Sequence, residues 1–254
     1  DVQKNPNVSK NKFFNVAKNI NIDLVLTAHP TEVKRRTLIQ KYANVNNILD
    51  ELNNLQILKK QNIKREKEIL EKKLKEEITS VWKTDEIKRS RPTAVEEAKW
   101  GLAVIEDSLW NSIPKICSRF DSAVKKFTNK NLPINYSPIK VSSWMGGDRD
   151  GNPNVTSKTT MEVVLLSRWE AASLYEKEFT KLIQSLSLFD CSKKIKKQVG
   201  KTWEPYRVFL RPIRNKLQQT QREIEDALLE KREPKKQLLV NSINEILDPL
   251  NEVY

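Results

Sequence analysis

The chain has 254 residues, 38% hydrophobic and 31% charged, enough for one large domain or two ordinary ones. No stretch approaches the ~20 consecutive apolar residues of a membrane span, and the polar start DVQKNPNVSK lacks a signal-peptide pattern, so the expected compartment is the cytoplasm. The net charge of +13 invites nucleic acid, but the lysines interleave with Glu along Ile63–Ile78 and no nucleic-acid-binding spacing appears, so the expected partner is a phosphate- or carboxylate-bearing molecule.

With only five glycines and long apolar-periodic segments, the chain is expected to be mostly α with a few strands. A short helix is predicted over Phe13–Ile20. Asp23–Ala28 is a compact apolar run, short enough for a buried strand. A helix should start near Pro30 or Thr31, with Glu32 in its first turn, and run to about Leu55. The next helix spans Ile63–Trp82. Thr93 and Glu96 have capping-box spacing and open a helix through Trp100, Val104, Leu109 and Ile113, which Pro114 should kink or divide. Asn129–Pro138 reads as a loop and Ile139–Trp144 as a second short strand. A helix over Lys158–Leu188, a basic linker over Ser192–Lys201, and helices over Glu204–Lys231 and Lys236–Val253 complete the chain. Two lone strands do not make a sheet that can be buried, so the missing strands are expected elsewhere in a longer protein. The start at Asp1 without Met also predicts an excised piece. Such a piece should expose apolar surface where strands are missing. Cys117 and Cys191 form no CxxC pair and read as reduced thiols.

Two segments carry chemistry. The only histidine, His29, lies between the first strand and a helix start, in Leu24–Thr37 (LVLTAHPTEVKRRT). In parallel α/β architectures catalytic groups gather at that strand end. The free N–H groups of a helix start favour an anion there, and Arg35 and Arg36 add positive charge. A neutral imidazole beside an anion is a suitable general base; the plain alternative is a histidine that only caps or packs. The second segment, Ser142–Thr156 (SSWMGGDRDGNPNVT), holds three of the five glycines. This clustering marks a strained loop with close backbone approach, with Asp148, Arg149 and Asp150 at its tip. Asp148, Asp150, Asn152 and Asn154 alternate like calcium ligands. However, Pro153 stands where an EF-hand needs Gly, and Thr159 where it needs Glu. A purely structural turn is the other alternative.

TAHPTE followed by RRT resembles the active-site histidine signature of phosphoenolpyruvate carboxylases, and WMGGDRDGNPNVT resembles a second hallmark of that family. Thr84–Trp100, Glu204–Arg207 (EPYR) and Asp248–Leu250 are similar to further family segments in the same order. The resemblance makes residues 1–254 a single fragment, early to middle, of a protein several times longer, with a histidine strand and helix start at 22–37 and a glycine-rich active-site loop at 142–156. It implies part of an α/β (TIM-type) barrel of the phosphoenolpyruvate-binding superfamily with helical elaboration. The implied reaction converts phosphoenolpyruvate and bicarbonate to oxaloacetate and phosphate with Mg²⁺ or Mn²⁺. Bicarbonate takes the phosphoryl group, giving carboxyphosphate and the enolate of pyruvate. A histidine base removes the carboxyl proton, carboxyphosphate breaks to CO₂ and phosphate, and the enolate attacks CO₂. His29 matches that base, and Trp144, with Gly147, Asp148 and Arg149, matches a substrate and CO₂ pocket; an ordinary core tryptophan is the alternative for Trp144. Arg35, Arg36 and Arg89 resemble positions that bind a phosphorylated effector in some members; solvated or salt-bridged arginines are the alternative. The full-length protein is expected to be a homo-oligomer. The family's lysine signature, its glycine- and arginine-rich loop and its acidic metal ligands are absent, so no metal site is expected in this fragment and it is expected to be inactive alone. A non-catalytic helical scaffold remains the rival from another class.

Overall fold

The computed structural model describes residues 9–27, 36–57, 63–85 and 92–253. The described elements are α1 (Lys10–Ala17), β1 (Ile22–Leu26), α2 (Arg36–Ile57), α3 (Ile63–Trp82), α4 (Ala94–Val104), α5 (Trp110–Thr128), β2 (Ile139–Ser143), α6 (Ser157–Ser185), α7 (Lys193–Val199), α8 (Pro205–Glu230) and α9 (Asn244–Val253). The chain is mostly helical, as expected. The described residues contain a two-stranded parallel sheet, with Ile22 opposite Ile139 and Leu26 opposite Ser143.

Local chemistry explains most boundaries. Ser9 Oγ accepts from Lys12 N, so α1 starts earlier than its apolar pattern alone suggests. Tyr136 OH donates to the carbonyl oxygens of Ala17 and Ile20, closing the turn into β1. Thr93 and Glu96 form the expected capping box, each side chain accepting from the other's backbone N–H. The predicted disturbance near Pro114 lies upstream of that residue. Pro114 sits inside α5, and Ile105–Leu109 form a π-turn in which Trp110 N donates to Ile105 O. The start predicted at Pro30 or Thr31 falls outside the described residues, as does Ala28 at the end of the predicted strand.

Two expectations are corrected. The basic stretch Ser192–Lys201 is not a linker but carries α7, capped by Ser192 Oγ, which accepts from Ile195 N. Ile195 is fully buried, and that one apolar anchor suffices because α8 and α9 supply the opposing surface. Lys194 and Gln198 reach Glu252 of α9 at 2.9 and 2.6 Å. The helix predicted over Lys236–Val253 is divided into a 3₁₀ turn at Lys236–Leu238 and α9. Neighbouring side chains satisfy the backbone between them: Val240 N donates to Thr220 Oγ1, and Asn241 N and Ser242 N donate to Glu245.

The core lies where α6 packs on α8. Ala172, Phe179 and Ile183 meet Leu210, Leu217 and Ile246, and a second cluster joins Leu165, Ile224 and Leu239. Ile224 is completely buried. Ile224→Ala should therefore lower stability by about 2–5 kcal/mol through lost transfer energy and a residual cavity, read as a lower urea midpoint with unchanged slope.

Carboxylates fasten this body. Glu223 is 5% exposed and accepts from Arg232 and from Lys235 N. The Arg232 guanidinium is the main cause holding its carboxyl below the ordinary 4.5. Lys216 does the same for Glu245, helped by Asn241 N. Both groups have depressed folded values, so their contribution is complete above the ordinary value and lost as pH falls through the folded one. The melting temperature should hold from neutrality to about pH 5 and fall steeply below about pH 4. Glu223→Gln should start lower at neutral pH and fall less steeply.

The strands stand apart from this core. Ile22 is 45%, Leu24 37% and Val25 43% exposed. Parallel strands are normally covered on both faces, so this apolar surface fits the expected missing strands.

Candidate active site

Because β1 and β2 run parallel and in register, their C-terminal ends are level. Trp144 N donates to Leu26 O at 2.9 Å, extending the pairing to the point where both chains leave the sheet. The glycine-rich loop leaves from Ser143. The histidine segment leaves from Leu26, and three residues, a chain reach of at most ~11 Å, lead to His29. His29, Arg35 and Arg89 lie outside the described residues. Arg36 opens the described part of α2, its backbone alone being described.

The loop is built tightly. Trp144 O accepts from Gly147 N at 3.0 Å and from Asp148 N at 2.9 Å, folding the chain back on itself. Gly146 has φ +71°, and a Cβ there would lie 2.4 Å from Val163 Cγ2 of α6, so both backbone angle and space require glycine. Thr160 Oγ1 donates to Gly146 O at 2.8 Å, tying the loop to α6 a second time. The Met145 side chain lies directly on Gly101 of α4. The alternating Asp and Asn serve the backbone. Asp148 Oδ1 accepts from Asp150 N at 3.1 Å, and Asn152 Oδ1 from Asn154 N at 3.0 Å. Thr156 then caps α6 by accepting from Thr159 N.

The loop's chemistry faces outward. Trp144 is 60% exposed, so within this chain it is not an ordinary core residue. Gly147, Asp148 and Arg149 are also exposed. Trp144, Gly147, Asp148 and Arg149 are thus brought together at the sheet's C-terminal edge. Gly101, Thr160 and Val163, which seat them, carry no chemical signature in the sequence. The one available hint is that Gly101 interrupts a helix. Among the described residues no three His, Cys, Asp or Glu side chains gather where they could hold a metal ion. The described residues therefore do not fit the implied Mg²⁺ or Mn²⁺. No helix among them is long and apolar enough to cross a membrane.

A family model described as phosphoenolpyruvate carboxylase matches residues 2–254. The phosphoenolpyruvate carboxylase of Hahella chejuensis is 44% identical over 247 residues, covering 97% of this chain and 27% of that protein. That of Acinetobacter baumannii is 43% identical over 252 residues, covering 99% and 28%, and that of Tolumonas auensis 41% over 254 residues, covering 100% and 28%. The chain thus spans little more than a quarter of the length of these relatives. On a family match over nearly every residue, the chain belongs to the phosphoenolpyruvate carboxylase family.

Proposed function

We propose that this chain is the part of a phosphoenolpyruvate carboxylase that brings the general base and the wall of the CO₂ pocket into the active site. The parent converts phosphoenolpyruvate and bicarbonate to oxaloacetate and phosphate. The observation that carries the reading is the level C-terminal edge of β1 and β2, from which TAHPTE and WMGGDRDG both depart. Ligand sites of parallel α/β architectures lie at that edge. The two strands belong to a phosphoenolpyruvate-binding α/β barrel completed by the rest of the parent, consistent with their exposed apolar faces.

In this reading His29 takes the carboxyl proton of carboxyphosphate, work suited to an imidazole neutral near pH 7. Trp144 closes an apolar wall over CO₂ and keeps water from the enolate. Gly147 offers backbone beside the substrate without a side chain, and Asp148 and Arg149 place charge at the pocket rim. Arg35, Arg36 and Arg89 take the phosphate of an effector, Arg being suited to bidentate phosphate contact. The Mg²⁺ or Mn²⁺ that serves the family is held by residues beyond this chain, and the parent works as a homo-oligomer in the cytoplasm. The test is the product ratio of the purified parent with phosphoenolpyruvate, bicarbonate and Mg²⁺. Oxaloacetate and phosphate should appear one for one, and phosphate without oxaloacetate would refute the reading.

A further inference from the structure

We propose that Gly101 is a positioning residue for this reaction, a step that rests on the carboxylase reading. Its lack of a side chain seats Met145 on α4 and so sets where Trp144 stands relative to the histidine strand. Gly101 is the one glycine inside a described helix. Glycine there costs about 1 kcal/mol relative to Ala, so a helix interior does not favour it. The chain's positive-φ glycines are Gly146, Gly151 and Gly200, so backbone conformation does not account for Gly101. Space does. A Cβ at Gly101 would lie 2.1 Å from Met145 Cε, 3.0 Å from Met145 Sδ and 3.8 Å from Leu26 Cδ1.

Met145 therefore occupies the space a side chain at residue 101 would take, and Leu26, the last residue of β1, borders the same space. Consecutive loop residues are held by two helices, Met145 by α4 and Gly146 by Val163 and Thr160 of α6. Trp144 precedes this clamp and is itself bonded through its N–H to Leu26 O. The Met145 and Leu26 side chains thus both border the same point of α4, the open Cβ position of Gly101, and Leu26 ends the strand leading to His29. Gly101 touches no substrate and acts through Met145. A Cβ at Gly101 pushes out Met145 Cε, the movable end of that side chain, and the wall carried by the preceding residue, Trp144, shifts with it.

The shift has a chemical signature. Phosphoryl transfer from the enol oxygen of phosphoenolpyruvate to bicarbonate still occurs, and carboxyphosphate still breaks to CO₂ and phosphate. With the wall displaced, CO₂ escapes and the enolate takes a proton from water at its terminal carbon, giving pyruvate instead of oxaloacetate. The experiment compares the full-length parent with its Gly101→Ala variant, reading oxaloacetate with malate dehydrogenase and pyruvate with lactate dehydrogenase. The variant should lose about 10–100-fold in kcat for oxaloacetate, the scale of a small misplacement, with a smaller change in KM. Its pyruvate share should rise. Gly101→Ala combined with Met145→Leu, which removes Cε, should restore much of the oxaloacetate share. Met145→Ala alone leaves α4 intact and should raise pyruvate, which covers a Gly101→Ala chain that does not fold. A wild-type parent that makes oxaloacetate, with an unchanged product ratio in folded variants, overturns the role of Gly101 alone. So does a double variant no better than Gly101→Ala. A wild-type parent that makes no oxaloacetate overturns the carboxylase reading as well.

Discussion

Replacing His29 with Asn in the full-length parent should lower oxaloacetate formation by about 10²–10⁴-fold, the usual cost of losing a general base. Asn keeps hydrogen-bonding capacity and much of the shape but cannot accept a proton near neutral pH. The melting temperature should therefore stay close to that of the wild type, separating loss of chemistry from loss of fold. In the proposed mechanism His29 acts after phosphoryl transfer, so bicarbonate-dependent phosphate release should outlast oxaloacetate formation. A histidine that only packs at a strand end would give the opposite pattern, with stability falling and turnover per folded molecule unchanged. Near-normal oxaloacetate production by the variant would remove His29 from the mechanism.

The chain by itself should show no carboxylation in the malate dehydrogenase assay, even with Mg²⁺, bicarbonate and phosphoenolpyruvate at saturating concentrations. Joining two anions requires charge stabilisation and clamping of the transferring phosphoryl group, which usually outweigh proton transfer in such chemistry. The described residues gather no metal-holding cluster. Trp144, Asp148 and Arg149 stand exposed, so the described residues form no enclosed dry pocket around the loop. Steady NADH loss with the isolated chain, abolished by His29→Asn, would show that the reaction needs fewer groups than this account assigns.

Most of the architecture could be read from local signals. Ile63–Trp82 is one long periodic run and forms α3 over those residues. The Thr93–Glu96 spacing is a capping box because its hydrogen bonds involve only near neighbours. The two strands are short apolar runs within two residues of their predicted bounds. What escaped was decided by distant partners. A single apolar residue in a lysine-rich stretch looks like a linker until α8 and α9 surround Ile195. The break before α9 depends on Thr220, twenty residues before Val240. The site divides the same way. Glycines clustered in a glycine-poor chain betray the loop at Gly146–Gly151. Its seats, Gly101, Thr160 and Val163, are ordinary helix residues until the fold brings them beneath it.

The central claim is that the histidine segment and the glycine-rich loop form one site at the C-terminal edge of β1 and β2. The most direct test is a crystal structure of the full-length parent with an unreactive phosphoenolpyruvate analogue bound. The account predicts the analogue at that edge, with the His29 imidazole and the Trp144 ring facing the same cavity. An analogue bound at the opposite end of the strands, or a His29 turned away from the cavity beside Trp144, would contradict it.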